Sequence, residues 1–292
     1  MTTAKPPSKK ASTALSPSME KLIAKAMQMH AEDSPNIGYM ARALVQASLP
    51  YRPVAGSEWT RRNGNFKLTL LAPSDVGIPY GVMPRLLLTW LSTEAVRTKS
   101  RRIELGSGLT AFMRELGLQA TGGKWGSITR FKKQALSLFS CTMSFSYTTD
   151  DGKGQGILNR TVADEVVLWQ ADVRGLQSHI TLSEPFYQEI IAHAVPLDMA
   201  ALRALRGSAM ALDIYSWLTY RMSYLKSASE ISWTSLENQF GAGYARTRAF
   251  REAFIHELKK VQAVYPKAQV EATPHALIVF PAPTHVRRKP KL

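Results

Sequence analysis

In the middle of this chain apolar residues recur first with a helical period and then with a strand period, and the changes between the two outline a motif. Pro84 to Thr98 reads as an apolar helix. Arg101 to Leu105 follows as a short strand with Ile103 and Leu105 on one face. Leu109 to Leu116 predicts a second helix, stopped by Gly117 as a C-cap. A turn through Thr121-Gly122-Gly123 leads into a basic amphipathic helix ending at Phe139. There Ile128, Phe131, Ala135 and Leu138 share one face, while Lys124, Ser127, Arg130, Lys133 and Gln134 lie mostly on the other. Thr142 to Thr148 then alternates strictly, with Met143, Phe145 and Tyr147 inward. Asp150 to Gly156 supplies a hairpin loop, and Thr161 to Trp169 is expected to return as the partner strand.

The same order recurs about 120 to 128 residues further on, at low identity. Ala209 to Lys226 is an apolar helix whose Trp217-Leu218-Thr219 corresponds to Thr89-Trp90-Leu91. Glu230 to Trp233 takes the short strand's place, and Ser235 to Phe240 makes a short helix ending at Gly241. Tyr244 to Val264 is a long basic helix, apolar at Phe250, Phe254, Leu258 and Val261. Gln269 to Glu271 and Ala276 to Phe280 close the order as a hairpin. Helix, strand, helix, turn, basic helix and hairpin is the element order of a winged helix, a helix-turn-helix followed by a β-wing. The expected fold is therefore α+β, with tandem winged-helix domains behind a disordered basic N-terminal tail. The divisions expected are 1–35 for the tail and a short helix from Met19 to Ala31, 36–195 for the first domain, and 196–292 for the second with a basic C-terminal tail. The joint falls near Val195-Pro196-Leu197-Asp198. Within the first domain, Ile37 to Leu49 forms an apolar patch, and Asn65 to Leu71 alternates as a strand.

Composition narrows the partners. The 292 residues are 45% hydrophobic and 20% charged, as a folded protein should be, yet carry a net charge of +15. A field of that sign favours polyanions. No apolar run approaches the roughly 20 residues a spanning helix needs, so no membrane partner is expected. The first 18 residues lack an apolar core and so are no secretory signal; a transit peptide is compositionally open, but arginine and amphipathic order are missing. Cys141 is the only cysteine, which excludes an intrachain disulfide and a thiolate cluster, and makes the cytoplasm the expected compartment.

Catalytic patterns do not form. Gly117 to Trp125 superficially resembles a phosphate-binding loop, but Leu118 stands where the first glycine belongs and Trp125 where magnesium needs a hydroxyl. The glycines instead shape the turn before the basic helix, where free backbone N–H groups could hold a DNA phosphate. The six histidines never come within fewer than ten residues of each other, so metal binding has no local spacing behind it. Asp150-Asp151 and Asp164-Glu165 read as turn formers and a solvated strand face. No catalytic residue, cofactor or metal is expected.

The basic helices are the remaining chemistry. One Lys/Arg-bearing helix is usually only a solvated face; two, each before a hairpin in a chain of this charge, point to double-stranded DNA. Arg130, Lys133 and Gln134 in the first helix, with Ser127 on the same side, and Thr247, Arg248 and Arg251 in the second are the candidates for base and phosphate contacts. Lys124, Lys132 and Arg246 are read as phosphate neutralisers, and Lys153 and Arg160 as wing residues. Arg287 to Lys291 is read as a flexible phosphate contact. The second helix is expected to dominate.

Ile78-Pro79-Tyr80-Gly81, the helix from Pro84 to Ser100 with Leu91-Ser92-Thr93-Glu94-Ala95-Val96-Arg97-Thr98, Thr121-Gly122-Gly123-Lys124-Trp125-Gly126-Ser127-Ile128, and Leu138-Phe139-Ser140-Cys141 resemble the RepA-type plasmid replication initiators. The resemblance runs from about Leu70 to Phe280 and is densest from Ile78 to Cys141. It implies a protein that binds directly repeated origin sites (iterons), helps to open adjacent AT-rich duplex, and recruits the host initiator and replicative helicase. It also implies two winged-helix domains and a homodimer that represses its own promoter. A plasmid-borne transcriptional repressor with no initiator role is the alternative.

Overall fold

The computed structural model describes residues 16–31, 36–106, 108–149, 153–169, 178–241 and 243–286. The chain starts with α1 (Pro17–Ala31), β1 (Ile37–Met40), α2 (Arg42–Gln46), β2 (Glu58–Asn63) and β3 (Phe66–Leu71). A first unit follows: α3 (Val82–Thr98), β4 (Arg102–Glu104), α4 (Leu109–Glu115), α5 (Ser127–Phe139), β5 (Thr142–Thr148), β6 (Gln155–Thr161), β7 (Ala163–Val167) and β8 (His179–Leu182). A bridge of α6 (Glu184–His193), β9 (Val195–Asp198) and α7 (Met199–Leu205) leads to a second unit: α8 (Ala209–Met222), β10 (Ser229–Ser232), α9 (Trp233–Phe240), α10 (Thr247–Val264), β11 (Val270–Ala272) and β12 (Ala276–Val279). The fold is α+β, as expected. The tail calls on 1–15 and 287–292 lie outside the described residues.

Local chemistry explains the boundaries. Every residue from Pro84 to Ser92 is buried, so this part of α3 is enclosed all round and lies in the interior. It stops where Lys99 turns left-handed at φ 52°. At the end of α4 the Gly117 N–H bonds the Arg114 carbonyl and the Leu118 N–H that of Met113, the paired closure that a left-handed glycine (φ 73°) permits. Side-chain caps start α6 to α9: Ser183 accepts from Phe186 N–H, Asp198 from Ala200 and Ala201, Ser208 from Ala211, and Ser232 from Ser235.

The internal repeat is visible in both topology and packing. In the first unit the strands run β4-β8-β7, and in the second β10-β12-β11, so that in each the first strand pairs with the last. Aromatic rings join the three helices of each unit in the same order. Trp90 of α3 meets Phe112 of α4 edge-on at 4.7 Å, and Phe112 meets Phe131 of α5 at 6.0 Å. Trp217 of α8 meets Phe240 of α9 at 5.6 Å, and Phe240 meets Phe254 of α10 at 5.5 Å.

One expectation fails in the first unit. Thr142–Thr148 pairs not with Thr161–Trp169 as a whole but with β6, of which Thr161 is only the last residue; Ala163–Val167 within that stretch is β7, which pairs with β8. The hairpin β5–β6 belongs to a separate sheet ordered β2-β3-β5-β6. The cause is a better apolar match far upstream: Met143 lies opposite Leu70, and Phe145 opposite Leu68, all four buried. A single buried residue, Val162, carries the chain from one sheet to the other.

The units are not separate bodies. One buried cluster runs from Leu22 to Val279. β1 pairs antiparallel with β9, and α1 packs on α7 and α10 through a face that buries Leu22 and Ala26.

Candidate nucleic-acid interface

α5 is held from both ends so that one side faces solvent. Phe131, Ala135 and Leu138 bury the inner side, while Thr129, Arg130, Lys132 and Lys133 are exposed. Among the described residues Arg130, Lys132 and Lys133 form no ion pair or hydrogen bond. Three cations within four positions on an acid-free face make a strip of positive potential.

The turn before α5 is braced internally. The Ser127 hydroxyl donates to the Gln119 carbonyl at 2.5 Å and accepts from the Thr121 N–H at 2.8 Å; the Ser127 N–H donates to the Thr121 hydroxyl at 2.9 Å. Gly126 lies so close to the preceding strand of backbone that a Cβ there would fall 2.3 Å from the carbonyl oxygens of Thr121 and Gly122. The glycine is required by that close approach. The Gly126 and Ile128 N–H groups bond Gly123 and Thr121 carbonyls. The amides of Gly126, Ser127 and Ile128 are therefore engaged within the turn.

Two candidate contacts are also reassigned. Ser127 is buried within the brace just described. Gln134 is buried, and its Oε1 accepts the Tyr80 N–H at 2.7 Å. Helical spacing placed Gln134 on the polar side, but the Ile78–Tyr80 segment covers that position. Both residues brace α5 against the chain that precedes it.

One residue escaped sequence reasoning. Trp125 is 84% exposed at the start of α5, with the Lys124 ammonium 5.5 Å from its ring centroid. The available signal was a bulky aromatic inside a glycine-rich turn without apolar neighbours in sequence.

α10 presents a weaker face. Phe250, Phe254, Leu258, Val261 and Val264 bury one side. Arg246 and Arg248 are exposed, but Arg248 pairs with Glu252 at 3.0 Å. Thr247 donates its hydroxyl to Glu237 at 2.6 Å, tying α10 to α9, and Arg251 donates to the Pro274 carbonyl at 2.8 Å, tying it to the β11–β12 turn. More uncompensated charge lies on α5 than on α10.

Of the expected wing residues, Lys153 is exposed on the β5–β6 hairpin, which lies in the four-stranded sheet and not beside β8. Arg160 is drawn inward, donating to the Pro185 carbonyl at 3.1 Å and lying 3.6 Å from Glu189, so it is not a surface cation. Cys141 is fully buried, and burial pushes its thiol pKa up to about 12, the behaviour of a core thiol. Among the described residues no group of three His, Cys, Asp or Glu side chains converges as metal ligands would, and no helix is long and apolar enough to cross a membrane.

The site is thus a cationic helix on an internally repeated α+β scaffold. Residues 78–235, more than half of the chain, match the family described as Plasmid encoded RepA protein. The chain belongs to that family, and its membership supports a plasmid replication initiator role with DNA as partner. Among solved structures it is similar to "Crystal structure of the RctB domains 2-3, RctB-155-483", with a TM-score of 0.49, 11% identity, and coverage of 81% of this chain and 94% of that one. No curated protein is significantly similar in sequence.

Proposed function

We propose that this protein initiates plasmid replication by binding directly repeated duplex sites at its origin, through two winged-helix units and without a catalytic step. The units are α3–β4–α4–α5–β7–β8 and α8–β10–α9–α10–β11–β12. The observation that carries the reading is the outward row Arg130, Lys132 and Lys133, unpaired on a helix whose other side is core. α5 is the principal reader. Arg130 and Lys133 meet base edges or phosphates, Lys124 and Lys132 neutralise phosphates, and Trp125 packs against sugar and base edge at the helix start. α10 contributes Arg246 and Arg248, with Glu252 released when DNA supplies a stronger partner.

An arginine bidentate to guanine is worth about 1–3 kcal/mol of discrimination. Filling several repeats would bend the duplex and favour opening of adjacent AT-rich DNA, to which the host initiator and helicase are then recruited. A homodimer serves repression, and the protein acts in the cytoplasm with its plasmid. The test is binding to the repeats flanking the gene, with Arg130→Ala and Arg248→Ala compared with wild type. Unchanged affinity and unchanged sequence preference in both variants would sink the two-reader scheme. Supplying the gene in trans to a plasmid bearing only the repeats separates an initiator, which maintains it, from a repressor, which does not.

A further inference from the structure

The sheet β2-β3-β5-β6 has one face on the core and one face open. Across the open face run two registered rows: Thr60, Thr69, Ser144 and Asn159, then Arg62, Lys67, Ser146 and Ile157. None of these eight side chains is buried, whereas Leu68, Leu70, Met143 and Phe145 at the alternating positions are. No second layer is fitted to a face so rich in hydroxyls.

Arg62 and Lys67 stand directly opposite each other on β2 and β3. Like charges so placed repel and weaken strand pairing. Among the described residues neither has a hydrogen bond or ion pair to relieve that repulsion. Beside them opens a groove of about 340 Å³, lined also by Ser146, Thr148 and Gln155 and, among the described residues, by no carboxylate. On the other face of β5 the ring of Tyr147 lies so close over Gly156 that a Cβ there would come within 2.4 Å of three ring-end atoms. A cross-strand cation pair surrounded by hydroxyl and amide donors suits a tetrahedral oxyanion, whose charge cancels the repulsion and whose oxygens accept the donors.

The position specifies which oxyanion. Only Ser140 and Cys141 separate α5 from β5, and the groove lies at the far end of β5, about 20 Å away at strand rise. A duplex read by α5 brings backbone phosphates within that distance, since one helical turn spans about 34 Å. We infer that the open face of this sheet is a second duplex contact, in which Arg62 and Lys67, with Ser146, Thr148 and Gln155, bind backbone phosphates flanking the site read by α5. The inference rests on the proposed reading of α5. The contact carries no sequence information; it sets register and affinity.

The experiment is a salt titration of full-length wild type and the Arg62→Ala/Lys67→Ala double variant, on a duplex of the plasmid's direct repeats and on a random duplex. Losing two phosphate contacts is expected to lower the slope of log K against log salt by about 2, at roughly 0.9 per contact. Affinity should fall by the same factor on both duplexes, leaving their ratio intact. The melting temperature of the unliganded variant should equal or exceed that of wild type, because the repulsion is gone. Should the alanines fold poorly, Arg62→Gln/Lys67→Gln removes the charges while keeping length and polarity. Normal wild-type binding with an unchanged slope in the variant overturns this inference alone. A wild-type chain that binds neither duplex overturns the proposed function along with it.

Discussion

Arg85 and Asp213 join the two units from equivalent places, 128 residues apart. Arg85 is the fourth residue of α3 and Asp213 the fifth of α8, the leading helix of each unit. The guanidinium donates from Nε and from Nη2 to the two carboxylate oxygens, both at 2.8 Å. Its other N–H groups go to the carbonyls of Leu49, Pro50 and Gly81, so all five donors are used at a side chain only 4% exposed. Burial alone would lower the guanidinium pKa; the Asp213 charge and hydrogen bonds overcome it, and the net shift is upward.

Removing one partner should therefore unfold more than a local contact. Asp213→Ala is expected to cost about 3–5 kcal/mol by leaving a buried cation uncompensated. The double variant Arg85→Met/Asp213→Leu should recover most of that loss. Urea denaturation of Asp213→Ala and the double variant measures both; a cost under about 1 kcal/mol for Asp213→Ala would show the pair to be dispensable.

Gln134→Ala separates a brace from a base contact. The part-buried Tyr80 N–H would lose its acceptor, an expected cost of about 1 kcal/mol or more in stability. Discrimination between repeat and mutated repeat should stay as in wild type. A preserved stability with altered discrimination would return Gln134 to the interface.

Trp125→Ala should leave the melting temperature within a degree or two, since so exposed a side chain holds nothing in place. On repeat DNA it should weaken binding about 5- to 100-fold, the range of about 1–3 kcal/mol measured for aromatic contacts to bases. Equal affinities for the variant and wild type would remove Trp125 from the interface.

Alkali should destabilise the fold before any backbone chemistry occurs. Burial raises the pKa of Cys141 and of Tyr265 to about 12, against unfolded values of about 8.5 and 10. Tyr51 and Tyr215 are shifted upward too, chiefly by burial. A raised folded pKa means the native state keeps its proton where the unfolded chain has lost it, so stability is full below about pH 8.5 and falls as pH climbs towards about 12. Denaturation midpoints at pH 8, 9.5 and 11 should decline in that order, and Tyr265→Phe should flatten the decline.

The second unit was readable because its signals are local. Ser208 and Ser232 cap their helices, Gly241 follows α9, and β10, β11 and β12 pair only with one another. The first unit shares that plan, but a hairpin interrupts it. Thr142–Thr148 alternates as any half-buried strand does, and nothing in that pattern reports that Leu68 and Leu70 supply its partners. Long-range pairing is where periodicity runs out. The apolar positions Phe131, Ala135 and Leu138 of α5 were legible, whereas Gln134, buried beside them, was placed on the polar side because a loop more than fifty positions upstream covers it. Arg62 and Lys67 drew no attention, since their opposition exists only once β2 and β3 are in register.

Val162 is the sole residue between β6 and β7, and it is fully buried. A strand that crosses from one sheet to another over one fixed residue behaves as a ruler. The distance between the groove beside Lys67 and the hairpin beside α5 is set by covalent geometry, with no slack to stretch. If one duplex is held on both surfaces as proposed, a duplex whose pitch differs from that gauge, through underwinding or a shifted repeat, would meet one surface or the other but not both. Binding would then depend on the twist of the DNA as well as on its sequence.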